Sequence, residues 1–286
     1  KQMKRFNLLM LLTATLLLAI GCTEEAATPN DDKKDKQEPD TKGLTAFVED
    51  DVPTRTTAEY FNNGGLNRGL HYYWTAGDRL WVNNGTLIQD AYSNIDSKLE
   101  NNPTNPTAVK RAATAKFYFS GTYTANNYNV RYTGASNLGN KVDFSVVQNQ
   151  PIPNDASHLN ICGDCGTAVA IKVGGRYQFT LEHKASYLTF IPYSTQEIVR
   201  EGVITAIQIK ADKAITGRFD FNDNGVVLSS RPAANSSTTA IYLKLNNFEI
   251  PVSPDPTKNA SIIVLPPGTY NRIDVEYFIH SAATNL

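Results

Sequence analysis

Apolar and polar side chains alternate with a period of two through most of the chain after Leu44. Val142, Phe144 and Val146, for example, are separated by polar residues, as in a strand that buries one face. Similar runs are Leu80–Val82, Lys116–Ser120, Tyr128–Tyr132, Ala168–Val173, Tyr177–Leu181, Tyr187–Pro192, Val203–Ile209, Ile241–Leu245, Ile262–Leu265 and Tyr270–Ile279. Strands at intervals of roughly ten residues predict an all-β protein built from antiparallel β-sandwiches.

Turn sequences separate these runs, and they include Asn83-Asn84-Gly85, Asn224-Gly225 and Pro266-Pro267-Gly268. Only Gln89–Leu99 has a helical pattern, and it is weak. Two sandwiches fit in the roughly 240 residues after Leu44. We place the division near Gly174-Gly175, which gives an N-terminal domain of residues 44–174 and a C-terminal domain of residues 175–286.

A short apolar run behind two basic residues predicts a secretion signal over residues 1–21. Lys4 and Arg5 precede Leu8–Ile20, and a helix of that length rises about 20 Å, less than the roughly 30 Å of a hydrocarbon core. The run ends in Gly21-Cys22, similar to the lipobox of bacterial lipoproteins, in which the cysteine thiol takes a diacylglycerol. Two acyl chains suffice for stable membrane attachment. The alternative is an ordinary signal peptide with a chance cysteine.

Residues 22–43 combine many charges with almost no apolar surface. Thr23–Lys42 contains no aromatic, Leu, Ile or Val residue, so the segment cannot offset its chain entropy and is predicted to be a flexible tether. Without residues 1–21 the chain carries 24 basic and 28 acidic side chains. This mildly acidic balance argues against nucleic acid as a partner.

Seven short segments, in order along the chain, resemble one protein family. They are Trp74–Val82, Ala115–Phe117, Tyr128–Tyr132, Gln148–Gln150, Phe179–His183, Ala214–Gly217 and Val264–Gly268. The first resembles the W-x-x-G-D-x-[LI]-x-V signature of the fimbrillin-like (type V pilin, Mfa-like) lipoprotein family of Bacteroidota. The resemblance implies two tandem transthyretin-like β-sandwiches and a pilus subunit that acts in adhesion.

The resemblance also implies a route of assembly. Family pilins reach the outer membrane as lipoproteins, and the acidic residues behind Cys22 resemble a signal for export to the cell surface. An Arg-specific protease then removes the tether with a first edge strand. The matching site is Arg55-Thr56, and the excised piece includes Thr45–Val48. A strand from the next subunit fills the exposed groove and joins subunits head to tail.

Family donor strands usually come from the C-terminal end, and this sequence stops soon after Ile279. Either the end is incomplete, or the protein is a non-polymerising tip or anchor relative.

Three other constellations offer chemistry. Cys162-Gly163-Asp164-Cys165 predicts a small structural disulfide in an oxidising envelope, with free thiols or redox exchange as alternatives. The same cysteines with His158 and His183 could form a zinc site, but a half-buried His183 in a strand is preferred.

Asp220–Gly225 copies the opening of a calcium loop, yet Arg231 stands where a Glu is expected, so a hairpin is preferred. No metal or other cofactor is predicted.

The sequence contains no nucleophile elbow, phosphate loop or metal-spaced histidine pair, so no enzyme is predicted. The alternative function is a monomeric surface lipoprotein that binds glycans for nutrient uptake, with Tyr72, Tyr73, Trp74 and Trp81 as stacking faces. Exposed rings on one face would favour this alternative. Buried rings together with a paired strand at Leu44–Val48 would favour the pilin.

Overall fold

A computed structural model describes residues 41–49, 57–62, 68–136 and 138–281. These residues form an all-β fold, as the period-two pattern predicts. The strands are β1 (Thr45–Glu49), β2 (Thr57–Asn62), β3 (Arg68–Tyr73), β4 (Trp81–Asn83), β5 (Leu87–Gln89), β6 (Tyr92–Ser93), β7 (Lys116–Phe119), β8 (Asn127–Tyr132), β9 (Lys141–Phe144), β10 (Val147–Gln150), β11 (Gly166–Val173), β12 (Arg176–Phe179), β13 (Glu182–His183), β14 (Ser186–Phe190), β15 (Gly202–Ala211), β16 (Gly217–Asn222), β17 (Gly225–Val227), β18 (Ala240–Glu249), β19 (Ser261–Leu265) and β20 (Ile273–Ser281). Single-turn helices are α1 (Ile95–Lys98), α2 (Leu159–Cys162), α3 (Glu197–Arg200) and α4 (Pro256–Asn259). Within these ranges, no helix has the length and apolar character needed to cross a membrane.

The first sheet combines the early strands with the hairpin β11–β12. Its strand order is β5-β4-β8-β11-β12-β1-β7-β6, and β13 also pairs with β11. Alternate residues point inward, so that Phe117 and Phe119 of β7 and Val130 of β8 are fully buried. Together with side chains from β1, β4 and β12 they form the first hydrophobic core.

The later strands form smaller sheets around two further cores. Their orders are β10-β18-β15-β20, β17-β16-β9 and β14-β19, and β2 pairs with β3. Ile207 and Leu243 belong to one of these cores, and Phe144 and Phe219 belong to the other.

Two glutamines of β10 connect its sheet to β19 by imitating a strand pairing. The Gln148 side chain donates to the carbonyl of Val264 at 2.7 Å and accepts from its amide at 3.1 Å. The Gln150 side chain donates to the carbonyl of Ala260 and accepts from the amide of Ile262, both at 2.8 Å. Both side chains are fully buried, and these bonds satisfy amide groups that would otherwise be costly to bury. The Gln148–Gln150 segment therefore has a structural role.

The first strand lies inside the first sheet, which corrects its predicted place at an edge. It pairs antiparallel with β7 on one side and parallel with β12 on the other. The strands β10 and β18 are also parallel, so the prediction of purely antiparallel sheets is wrong at these two pairings. Period-two alternation shows which face of a strand is buried, but it carries no information about which strands are its neighbours.

The helical prediction for Gln89–Leu99 is wrong over most of its length. Tyr92–Ser93 forms β6 and only Ile95–Lys98 is helical. Asn94 precedes this helix without capping it. Its side chain instead accepts a hydrogen bond from the amide of Lys116 at 2.8 Å, which ties the segment to β7.

Gly174 and Gly175 form the turn between β11 and β12, where Gly174 has a φ of +62°. Both strands belong to the first sheet, and the first core extends as far as Leu181. The division into two tandem transthyretin-like domains, residues 44–174 and 175–286, stays a prediction.

Candidate functional site

The placement of β1 between two strands defines a seat for one strand. We use the name β1 seat for β7 and β12 together with the side chains that contact β1, which are Trp74, Phe119, Tyr123, Tyr128 and Tyr177. All five side chains are buried. The seat is therefore lined by aromatic rings.

The backbone of β1 is paired on both sides. Residues Thr45–Val48 lie antiparallel to β7, and residues Phe47–Glu49 lie parallel to β12. The amide of Glu49 also donates to the carbonyl of Ala115 at 3.3 Å. Neighbouring strands lie about 4.8 Å apart, so removal of β1 would leave β7 and β12 facing each other across a gap of roughly 10 Å, with unpaired N–H and C=O groups on both edges.

Phe47 fills an aromatic box at the centre of the seat. Its ring stacks on Tyr177, with centroids 4.7 Å apart and an interplanar angle of 13°. Edge contacts follow with Phe119 at 4.9 Å, Tyr123 at 5.4 Å and Tyr128 at 6.4 Å. Aromatic pairs of this geometry contribute about 0.5–1.5 kcal/mol each beyond the area they bury. The box therefore favours a large aromatic side chain at this position of the strand.

Hydrogen bonds hold the rings of the box in place. The hydroxyl of Tyr177 donates to the carbonyl of Ala125 at 2.7 Å. The hydroxyl of Tyr128 accepts from the amides of Thr124 and Ala125 at 3.0 and 3.1 Å. Because these bonds go to one loop and do not involve β1, the box is supported independently of the strand that it binds.

Glu49, two residues after Phe47, makes a second side-chain contact between β1 and the seat. The indole N–H of Trp74 donates to Oε2 of Glu49 at 2.6 Å, and the two residues are 0% and 2% exposed. A hydrogen bond to a carboxylate is stronger than one between neutral groups, and loss of the acceptor would leave a buried donor unsatisfied. The contact is both buried and specific.

The signature at Trp74–Val82 positions that indole. The Trp74 ring packs edge-on against Phe117 and Tyr132, with centroids 4.9 and 5.8 Å apart. The Tyr132 hydroxyl donates to Oδ1 of Asp78 at 2.9 Å, and Oδ2 of Asp78 accepts from the amide of Thr75 at 2.7 Å. Trp74 and Asp78, which carry the family resemblance, therefore support the β1 seat. The sequence alone did not predict the Trp74–Glu49 contact, because the two residues lie on elements whose pairing is not local.

The other rings proposed for sugar stacking are packed against neighbours. Tyr72 stacks on His183 with centroids 3.8 Å apart, and the guanidinium of Arg111 lies 3.8 Å above the Tyr73 ring. Trp81 is half-buried. Gly139 leaves room for its ring, since a Cβ at residue 139 would lie only 2.6 Å from it.

Asp223, within the segment that resembles the opening of a calcium loop, joins the β16–β17 hairpin to the first sheet. Its carboxylate accepts from Arg131 Nε at 2.5 Å, Asn129 Nδ2 at 2.9 Å and Asn83 Nδ2 at 3.0 Å. Burial alone would raise the pKa of Asp223, but the hydrogen bonds and the Arg131 charge outweigh it and lower that pKa. Asp223 and Asn224 are the two residues between the paired Asn222 and Gly225, so the hairpin is present with its turn one residue earlier than predicted.

The two cysteines are buried and free, where the sequence predicted a disulfide. Cys162 ends α2 and contributes to a hydrophobic core, as does Cys165, which immediately precedes β11. Burial raises the pKa of Cys162 to about 11 and also raises the pKa of Cys165. At neutral pH both thiols are therefore protonated and poor nucleophiles.

The two histidines of the possible zinc site make other contacts. Burial lowers the pKa of His158 to about 4, and its Nε2 lies 3.0 Å from the carbonyl of Ile262. His183 is half-buried, with Nδ1 lying 3.2 Å from Oδ1 of Asp164 and 2.9 Å from the Tyr187 hydroxyl. Among the residues that the structure describes, no three His, Cys, Asp or Glu side chains are arranged to hold a metal ion. Cys22, Arg55 and Thr56 lie outside the described residues.

A cleft of about 530 Å³ on the outer face of β11 was not predicted. Its floor includes Val169 and Ile171, which are more than half exposed, and its rim includes Lys184 and Asn224. The only signal in the sequence was the apolar run Ala168–Val173, which is apolar on both faces of the strand except at Lys172.

No family model matches this sequence, and no curated protein matches it with statistical significance. A solved structure of a candidate cell adhesion protein from Bacteroides ovatus is similar over 83% of this chain and 84% of that one, with 11% identity and a TM-score of 0.40.

Proposed function

We propose that this chain is a fimbrillin-like pilus subunit that is exported as an outer-membrane surface lipoprotein through Cys22 and assembled by replacement of β1. The observation that supports the proposal is the position of β1 between β7 and β12, with Phe47 buried at its centre and Glu49 buried at its end. A strand held in this way leaves a preformed and complementary groove when it departs. The role is structural and adhesive, and it involves no catalysis and no cofactor.

The proposal assigns a step to each region of the chain. Acylated Cys22 and the tether hold the subunit at the membrane. Cleavage between Arg55 and Thr56 separates β1 from β2, since β1 ends at Glu49 and β2 begins at Thr57. A strand from another subunit then pairs with β7 and β12, and repetition of this contact joins subunits head to tail in an open filament.

The glycan-binding alternative would use exposed rings on one face. Trp74 is fully buried, and Tyr72 and Tyr73 are stacked against other side chains. This packing favours the pilin proposal over the glycan-binding alternative.

The test is an Arg55→Lys variant produced in the native host, with Arg200→Lys on the exposed helix α3 as the matched control. An Arg-specific protease does not cut after lysine, so Arg55→Lys should accumulate as acylated full-length monomer and give no SDS-resistant ladder in surface-sheared material. The control should assemble with a mature N-terminus at Thr56, as measured by mass spectrometry. Ladders of normal length from Arg55→Lys would overturn the proposal.

A further inference from the structure

We infer that the β1 seat selects its strand through two side chains: an aromatic residue at the position of Phe47 and a carboxylate or amide acceptor at the position of Glu49. The occupant is an extended segment of a partner subunit with the pattern Phe-x-Glu or Phe-x-Gln. This inference rests on the proposed function, because it describes what the emptied seat accepts.

The aromatic requirement follows from the box. Tyr177 and Tyr128 are fixed by hydrogen bonds to the 124–125 loop, so their rings stay in place when the strand changes. A smaller side chain in place of Phe47 would leave a cavity lined by rings, and a cavity of this kind weakens binding roughly in proportion to its volume.

The acceptor requirement follows from Trp74. Its indole N–H is a donor with no acceptor capacity, it is fully buried, and it points at Glu49. An aliphatic residue in place of Glu49 would leave this N–H unpaired. By contrast, Ala46 and Val48 alternate to the other face of the strand and are only half-buried, so the seat places a weaker constraint on these two positions.

The pattern distinguishes β1 from the other strands of this chain. Phe-x-Glu occurs once in the 286 residues, at Phe47–Glu49. The exposed strand β20 offers Phe278 followed two residues later by His280, or Tyr277 followed by Ile279. Neither pair supplies a carboxylate or amide acceptor for Trp74.

The experiment uses the full mature chain with a single engineered protease site within residues 50–56, so that cleavage leaves β1 bound without a covalent link. Labelled peptides of residues 44–49 then compete for the seat, and bound peptide is measured by native mass spectrometry. We expect the peptide with Phe47→Ala to bind at least about 100-fold more weakly than the native peptide. We expect the peptide with Glu49→Leu to bind at least about fivefold more weakly than the peptide with Glu49→Gln, which keeps an acceptor.

A Trp74→Phe variant of the protein is the control. It tests whether the preference for an acceptor at position 49 of the peptide depends on the indole N–H of Trp74. Because this variant lacks the donor, the Glu49→Leu and Glu49→Gln peptides should bind to it equally well. The inference would be overturned if the native protein bound the Glu49→Leu peptide more tightly, or if the variant kept an unchanged preference for the Glu49→Gln peptide. If no peptide of any sequence enters the seat, strand replacement itself fails; if all peptides enter equally well, only the selection rule fails.

Discussion

The first and last strands of the described residues, β1 and β20, differ in how many neighbours they pair with and in how deeply their side chains are buried. β1 has five residues, pairs on both sides and buries Phe47 and Glu49. β20 has nine residues, pairs with β15 alone, and leaves Val275, Tyr277, Phe278 and Ile279 between 40% and 49% exposed. Strand length is therefore a poor guide to how firmly a strand is bound. β1 is paired on two edges and has deeply buried side chains, whereas β20 is paired on one edge and has exposed side chains, so we expect β1 to be bound more firmly than β20.

The sharpest test of this contrast substitutes one phenylalanine on each strand. Phe47→Ala should lower the free energy of unfolding by about 3–5 kcal/mol, because it empties a closed aromatic box. Phe278→Ala should lower it by less than about 1 kcal/mol, since its ring is partly solvated already. Urea denaturation followed by circular dichroism measures both values. Similar losses in the free energy of unfolding for the two variants would contradict the expected difference between β1 and β20.

A second test removes the polar contact of β1. Trp74→Phe should lower the free energy of unfolding by about 1–3 kcal/mol, since the variant leaves the buried Glu49 without its indole donor. Trp81→Phe is the control, because Trp81 is only half-buried and is expected to lose less. The same denaturation measurement applies. A larger loss from Trp81→Phe would contradict the assignment of Trp74 to the seat.

The Asp223 contact connects the β16–β17 hairpin to β4 and β8, two strands of the first sheet that do not pair with β1. The folded state lowers the pKa of Asp223, so its ionised form contributes stability at neutral pH, and this contribution is lost as the pH falls through the folded-state pKa. We expect Asp223→Asn to be less stable than the native protein at pH 7, and the difference to shrink below about pH 4. A difference that is the same at pH 7 and pH 3 in urea titrations would contradict the ion-pair role.

The smallest effect on stability is expected from the exposed face of β20. Ile279→Lys should change the free energy of unfolding by no more than about 0.5 kcal/mol, while a charge on this edge strand should reduce self-association at high concentration. Ile198→Lys on α3, also exposed, is the matched control and should leave association unchanged. Sedimentation velocity measures the association of both variants. Equal effects of the two lysines would mean that β20 has no special tendency to associate.

Part of the fold could be predicted from the sequence. Alternation located Tyr128–Tyr132, Val142–Phe144 and Ile241–Leu245 within strands, and the turn residues located the hairpin at Asp220–Gly225. Both signals are local, because they depend on the preference of each residue for one face or one turn.

The site depended on information that is not local. Phe47 and Tyr177 are 130 positions apart in the sequence and stack directly, and nothing in their neighbourhoods indicates that β1 enters between β7 and β12. Nothing in the sequence around Glu49 indicates that it is buried, and only the paired structure shows it in contact with Trp74. The resemblance of Trp74–Val82 to a family signature located the supporting residues without indicating what they support.

The claim that β1 is replaced in assembled material can be tested at Tyr118, which lies opposite Ala46 on β7. A photo-crosslinking amino acid in place of Tyr118 reports which polypeptide occupies the seat. In the full-length monomer the crosslink should join residue 118 to residues 44–48 of the same chain. In surface-sheared assemblies it should join residue 118 to a strand of another subunit, and crosslinks to the chain's own β1 in those assemblies would contradict the account.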